Sequence, residues 1–267
     1  MTAGRLIRPY NLRMKLFAIS DLHLDQFEPM HRMNTLDPCW RYHPGNLIDN
    51  WKQLVQPDDW VLCPGDISWG LKTEELSVDY QLLDDLPGNK VLSPGNHDYG
   101  YWKTGARIKR FCEQWPSLFP LRNDALRIDE IGVVIAAVKG FLSPEDALFG
   151  KSFSSAADLQ SEHKRFDREL ARLKGALSEA ARLREPDDKL GVMIHYPPFA
   201  DLDKNNAFTR AIADAGSDFC VYGHLHHQKE WQQVFQGTQD GVHYQLVAAD
   251  YLNMKPVELK PAELQPA

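Results

Sequence analysis

With 267 residues, 43% of them hydrophobic, the chain is long enough to bury a substantial core and short enough to form one domain. Its net charge of -7 excludes a surface that is cationic all round, the kind that grips nucleic acid or anionic lipid, but not a locally positive pocket. Four cysteines, Cys39, Cys63, Cys112 and Cys220, stand far apart with no Cys-x-x-Cys pair. They read as free thiols in a reducing compartment, so a cytoplasmic location is expected.

Residues 1–13 read as a polar N-terminal extension, residues 14–260 as a single domain and residues 261–267 as a C-terminal tail. Leu16 to Ile19 is an apolar run too short for a secretory core or a membrane span, so no membrane partner is expected. It reads as a first strand, and Asp21-Leu22-His23 follows it. Leu47, Ile48, Trp51, Leu54 and Val55 then recur at helical spacing. Trp60 to Cys63 reads as a second strand ending at Gly65-Asp66. Thr73 is placed to cap a helix with Leu76, Tyr80, Leu83 and Leu86 on one face, closed by Pro87-Gly88. A third strand, Lys90 to Leu92, leads into Gly95-Asn96-His97-Asp98. A short helix is expected from Gly105 to Trp115, then a hairpin of Ala125 to Ile128 and Ile131 to Val138 turning at Asp129-Glu130.

Ser155 to Arg184 carries the longest helical pattern, with Leu159, Phe166, Leu170, Leu173, Leu177 and Ala180 on one stripe. A helix between two strands covers the sheet, so this stripe is expected to pack on the parent domain rather than form a dimer seam; the oligomeric state is left open. Leu190 to Ile194 reads as a strand ending at His195. A helix near Ala207 to Ala213 follows, then a strand, Asp218 to Tyr222, ending at Gly223-His224-Leu225-His226. Strands at Trp231 to Phe235 and His243 to Ala248, with a Gly237 to Gly241 turn between them, complete an alternation that predicts an α/β fold.

Five polar clusters thus follow apolar runs in a fixed order, and together they hold enough oxygen and imidazole donors for two metal ions. Carboxylate, amide oxygen and imidazole are borderline-hard donors suited to Mn, Fe, Zn, Co or Ni. Asp-x-His and His-x-His each deliver two donors in one direction, because alternate residues of an extended chain share a side. Asp66, with two carboxylate oxygens and a position between the other pairs, is the natural bridge.

This order, Asp-x-His, Gly-Asp, Gly-Asn-His-Asp, His, Gly-His-x-His, resembles the calcineurin-like metallophosphoesterase superfamily. Its wording is most similar to a group of bacterial predicted phosphohydrolases with Gly-Asp-Ile-Ser-Trp, here Gly65 to Trp69, and Leu-Pro-Gly, here Leu86 to Gly88. The resemblance implies the metallo-dependent phosphatase fold, a four-layer αββα sandwich of two mixed β-sheets flanked by helices. It implies Asp21, His23, Asp66 and His226 around one metal and Asp66, Asn96, His195 and His224 around the other. His97 would be catalytic without ligating, and Asp98 would orient a histidine from behind. Two divalent transition-metal ions are implied, Mn foremost.

The implied reaction is hydrolysis of a phosphomonoester or phosphodiester of a small cytosolic molecule by a metal-bridging hydroxide, with His97 protonating the leaving oxygen or stabilising charge on the phosphoryl group. The chain departs from protein Ser/Thr phosphatases, which carry Asp-Arg-Gly after the second motif's Gly-Asp, and has Trp69 where purple acid phosphatases carry Tyr. It has His97 where the lipid-A pathway hydrolases carry Arg. A non-catalytic scaffold would tend to lose ligands, and a DNA nuclease of the superfamily would need a basic face, so nucleic acid is not an expected partner. His43, Tyr99 and Trp102, with Trp40 and Tyr101, lie near the motifs and are candidates for a substrate rim.

Overall fold

The structure, a computed structural model, describes residues 14–27, 33, 38–142, 156–199 and 205–260. The expected N-terminal extension, the C-terminal tail and the helix start at Ser155 lie outside the described residues.

Two sheets stack face to face. The first has the order β11-β1-β2-β3-β4, built from β1 (Leu16–Ala18), β2 (Trp60–Pro64), β3 (Asn89–Ser93), β4 (Leu118–Pro120) and β11 (Val257–Leu259). β1 to β4 run parallel and β11 is an antiparallel edge. The second has the order β5-β6-β7-β8-β10-β9: β5 (Asp124–Ile128), β6 (Val133–Val138), β7 (Lys189–Ile194), β8 (Phe219–Tyr222), β10 (Val242–Leu246) and β9 (Gly237–Gln239). Its central strands are parallel and both edges antiparallel.

The near-continuous apolar runs follow from burial on both faces. Along β6, Val133, Ile135 and Ala137 join the core between the sheets, whereas Val134, Ala136 and Val138 join the core under the helices. β1 alternates in the same way, Leu16 and Ala18 facing the partner sheet and Phe17 facing outward. The outer face of the first sheet is covered by α1 (Gly45–Leu54), α2 (Thr73–Asp85) and α3 (Gly105–Cys112) through Trp51, Tyr80, Leu83, Ile108 and Phe111. α4 (Ala156–Leu183) and α5 (Ala207–Asp214) cover the second through Phe166, Leu173, Leu177, Phe208 and Ile212. This is the expected αββα order of layers, and the long helix packs on its own sheet; its Leu159 stays exposed, as does Leu54 of α1.

Several boundaries differ from the sequence reading. Trp231 to Phe235 is not a strand. Glu230 accepts the His226 and His227 backbone N–H groups and starts the short helix α6 (Gln228–Trp231), and the Trp231 indole donates to the Leu225 carbonyl. Gly237 to Gln239 pairs as β9, so the turn narrows to Asp240-Gly241, both at positive φ. α3 stops at Cys112, short of Trp115, and Thr73 is the first helical residue of α2 rather than its cap. β4 and β11, three residues each, are too short to show a period of their own.

Candidate metal centre

The ends of the parallel strands of both sheets meet along one seam. Ser20, just past β1, donates to the Val247 carbonyl and accepts from the Ala249 N–H, stitching the first sheet to the second. Beyond the strands the loops stay paired: the Asp21, His23 and Leu24 N–H groups donate to the Gly65, Asp66 and Ile67 carbonyls, and Gly223 N–H donates to the His195 carbonyl. Five distant segments are thereby held side by side. The backbone is strained where the donors leave it, since Asp21, His23, Asp66 and His224 all lie at positive φ (57°, 45°, 51° and 76°). Left-handed backbone costs a non-glycine residue about 1 kcal/mol or more and collects at functional sites.

Two donor groups result, Asp21 with His23 and His226, and Asp66 with His195 and His224, the donor atoms of each lying within 4.8 Å of one another. Asn96 joins the second group, its Oδ1 2.8 Å from His195 Nε2. Asp66 Oδ2 stands between the groups, 3.4 Å from His195 Nε2 and 3.9 Å from His23 Nε2. Imidazole nitrogens face one another, His23 Nε2 with His226 Nε2 and His224 Nδ1 with His195 Nε2, each pair 3.2 Å apart. Lone pairs from seven side chains converging at such distances form a donor set that a pair of divalent cations fits. His23 Nδ1 is moreover buried without a hydrogen-bond partner among the described residues.

Charge is unbalanced in this cluster. Burial, then the neighbouring Asp21 carboxylate, pushes Asp66 up to about 8. Burial opposes charge on His226, but hydrogen bonds to Asp21 and Asp250 outweigh it and raise the imidazole to about 11. Burial also acts to raise Asp21, yet the His226 hydrogen bond and the nearby histidines hold it far below the carboxylate range. Burial, reinforced by His195, lowers His224 to about 3. In the metal-free site Asp66 and His226 therefore both carry protons at pH 7, and ligation must displace them. Calorimetric titration of Mn at pH 7 in two buffers of different ionisation heat should show release of about two protons per chain, with affinity rising as pH climbs towards 8. Affinity independent of pH from 6 to 8, with no proton release, would remove Asp66 and His226 from the ligand set.

Space around the donors is exhausted. A Cβ on Gly223 would fall on the Asp21 carboxylate and the Ser20 hydroxyl, and one on Gly95 would fall on Asp66. Gly223→Ala should therefore displace Asp21, lower stability by about 1–3 kcal/mol and reduce bound metal, read by thermal melts and elemental analysis. Wild-type metal content in a Gly223→Ala protein would contradict this geometry.

Neighbours orient the donors. His195 Nδ1 meets the Pro64 carbonyl at 3.1 Å, and His226 Nδ1 meets Asp250 Oδ2 at 3.2 Å. Asp250 was not singled out from the sequence, although a carboxylate following the apolar Val247-Ala248-Ala249 repeats the pattern of Asp21 after Leu16 to Ile19. Asp98 was expected to orient a histidine; its carboxylate instead accepts the Gly95 and Ile67 backbone N–H groups, tying together the loops that carry Asp66 and Asn96. The His97 backbone N–H donates to Asp66 Oδ1 at 2.8 Å, and its partly exposed ring packs 4.3 Å from Trp69, which stacks on His23.

Of the expected rim, Tyr99 alone is well exposed, at 60%. His43 is buried, its ring nitrogen on the Leu22 carbonyl inside the Asp-x-His loop, and Trp40 packs edge-on to both His23 and His226. Trp102 is buried too and donates to the Tyr80 hydroxyl, while Tyr101 stacks on Phe111. Local sequence does not distinguish a rim aromatic from one the neighbouring layer covers.

A family model for calcineurin-like phosphoesterases matches residues 14–228. The chain belongs to that family. The match runs from β1 through His226, taking in all seven donors of this calcineurin-like phosphoesterase. No curated protein matches it. Among solved structures, a protein of unknown function from Aquifex aeolicus aligns at 13% identity over 92% of this chain and 95% of its own, with a TM-score of 0.46. A second aligns at 13% identity over 86% of this chain and 88% of its own, with a TM-score of 0.48. Among the described residues of this phosphoesterase, no helix is long and apolar enough to cross a membrane.

Proposed function

We propose that this chain is a dinuclear metal-dependent phosphoesterase that hydrolyses a phosphomonoester or phosphodiester of a small cytosolic molecule. The observation that carries the reading is the Asp66 carboxylate standing between two donor groups within a phosphoesterase fold. Asp21, His23, Asp66 and His226 would hold one ion and Asp66, Asn96, His195 and His224 the other, with Mn as the metal to load first.

Two such cations supply Lewis acidity towards phosphoryl oxygens and lower the pKa of a water. The chain's own groups do the rest. Asp250 and the Pro64 carbonyl hold the His226 and His195 rings so that their second nitrogens face the centre. Trp40, Trp69 and Tyr196 wall the histidines with aromatic faces and edges, which excludes water from behind them. His97 is a titratable side chain beside the donors that none of the ligation requires. Burial, then His195 and His226, lowers its pKa, and the negative charge of a bound phosphate would act the other way, favouring the charged ring that can give its proton to the leaving oxygen.

A cytoplasmic setting suits the thiols: Cys63, Cys112 and Cys220 are buried and free, and burial raises Cys63 and Cys112 to about 12. Hydrolysis of p-nitrophenyl phosphate and bis(p-nitrophenyl) phosphate by Mn-loaded protein tests the proposal. Folded protein that turns over neither ester with Mn, Fe, Zn, Co or Ni would instead be a non-catalytic scaffold on the same fold.

A further inference from the structure

Beside the metal centre, where the ends of β3, β4 and β6 approach α4, a cleft of about 160 Å³ opens from Asn96. Its wall carries Lys103, Arg122, Lys139 and Arg172, against the carboxylates of Glu169 and Asp98. Asp98 is turned away onto backbone N–H groups, and Glu169, 3% exposed, pairs through Oε1 with Arg172 one helical turn on. The Arg122 and Lys139 side chains make no ion pair or hydrogen bond among the described residues. Positive charge therefore exceeds negative in a half-enclosed pocket of a chain whose net charge is -7. Burial, then Arg172, holds the Arg122 guanidinium below its usual range, although the Glu169 carboxylate acts in the opposite direction.

A phosphorus under attack has to face both donor groups across Asp66. The cleft touches only one side of that arrangement, since Asn96 is the one donor lining it. An anion seated here lies beside the reacting phosphate, not in its place. Lys139 ties the two sites together, its carbonyl accepting the His195 N–H at 3.1 Å. A guanidinium fork with a neighbouring ammonium matches a phosphate dianion in shape and charge.

From this we infer that the cleft formed by Arg122, Lys139, Arg172 and Lys103 is a second phosphate subsite, and that the substrate is a small molecule bearing two phosphate groups. The inference rests on the phosphoesterase reading for its first phosphate but not for its second, and two measurements separate them. Without metal, titration of inorganic phosphate into EDTA-treated protein should show binding that weakens about tenfold in Arg122→Gln and less in Arg122→Lys. With Mn, kcat/KM for fructose 1,6-bisphosphate should exceed that for fructose 6-phosphate about tenfold, mostly through KM, and Arg122→Gln should erase that ratio. Lys103→Gln, a change on an exposed side chain at the mouth, should lower the same ratio about threefold and serves if Arg122→Gln does not fold.

Phosphate binding that is indifferent to Arg122 and Lys103, equal kcat/KM for the two sugars, or an equal loss on both in Arg122→Gln overturns the subsite. Absence of turnover of both p-nitrophenyl phosphate and bis(p-nitrophenyl) phosphate in the wild type with Mn, Fe, Zn, Co or Ni overturns the phosphoesterase reading instead, while the metal-free titration still decides the subsite.

Discussion

Asp66→Ala should lose at least one metal ion per chain by elemental analysis and reduce turnover of p-nitrophenyl phosphate by about 10³-fold or more, roughly 4 kcal/mol of transition-state stabilisation. The size of the effect follows from position: Asp66 Oδ2 is within 3.9 Å of nitrogens in both donor groups, so its removal would weaken the hold on any ion in either group. Loss of metal should not mean loss of fold. In the metal-free protein burial and Asp21 raise the Asp66 carboxyl to about 8, so the folded state holds this proton more tightly than the unfolded chain does. Its contribution to stability is complete below the ordinary carboxylate range and declines as pH rises through about 8. Asp66→Asn abolishes that decline, so the metal-free variant should melt higher than the metal-free wild type at pH 9. Full metal occupancy in Asp66→Ala would end its bridging role, and a metal-free Asp66→Asn that melts lower at pH 9 would show that the carboxyl is not raised.

His97→Ala should do the opposite with metal and the same with rate. Both ions stay, because the ring is absent from both donor groups and the bond to Asp66 comes from its backbone N–H, which alanine keeps. Turnover should fall about 10²–10⁴-fold, the usual worth of a positioned proton donor. The loss should be larger for an ester with an alkyl leaving group than for p-nitrophenyl phosphate, whose leaving phenolate needs little protonation. An equal loss on both would make His97 a positioning residue for the phosphoryl group, and loss of metal would make it part of the ligand scaffold.

Much of this molecule was legible before it was folded. Buried parallel strands write themselves as unbroken apolar runs, and Leu16 to Ile19, Trp60 to Cys63 and Leu190 to Ile194 each lead to a donor, so the strands and the types of side chain at their ends could be read locally. The misreadings share one cause. Trp231 to Phe235 has a strand's composition, but Glu230 captures two backbone N–H groups and a helical turn wins. Trp40 and His43 sit in sequence where a rim would, but a covering layer buries them.

By itself the amino-acid order determined the motifs that carry the family resemblance, the alternation of strands and helices and which donors exist, because each depends on a residue and its near neighbours; the αββα layers came only as what that resemblance implies. Only the tertiary structure decided that Asp66 stands between the two groups, that Asp250 backs His226, that Asp98 binds backbone amides and that Arg122, Lys139 and Arg172 line one cleft. Those contacts join segments tens to hundreds of residues apart, and their partners are chosen by strand order and sheet stacking, which no local pattern encodes.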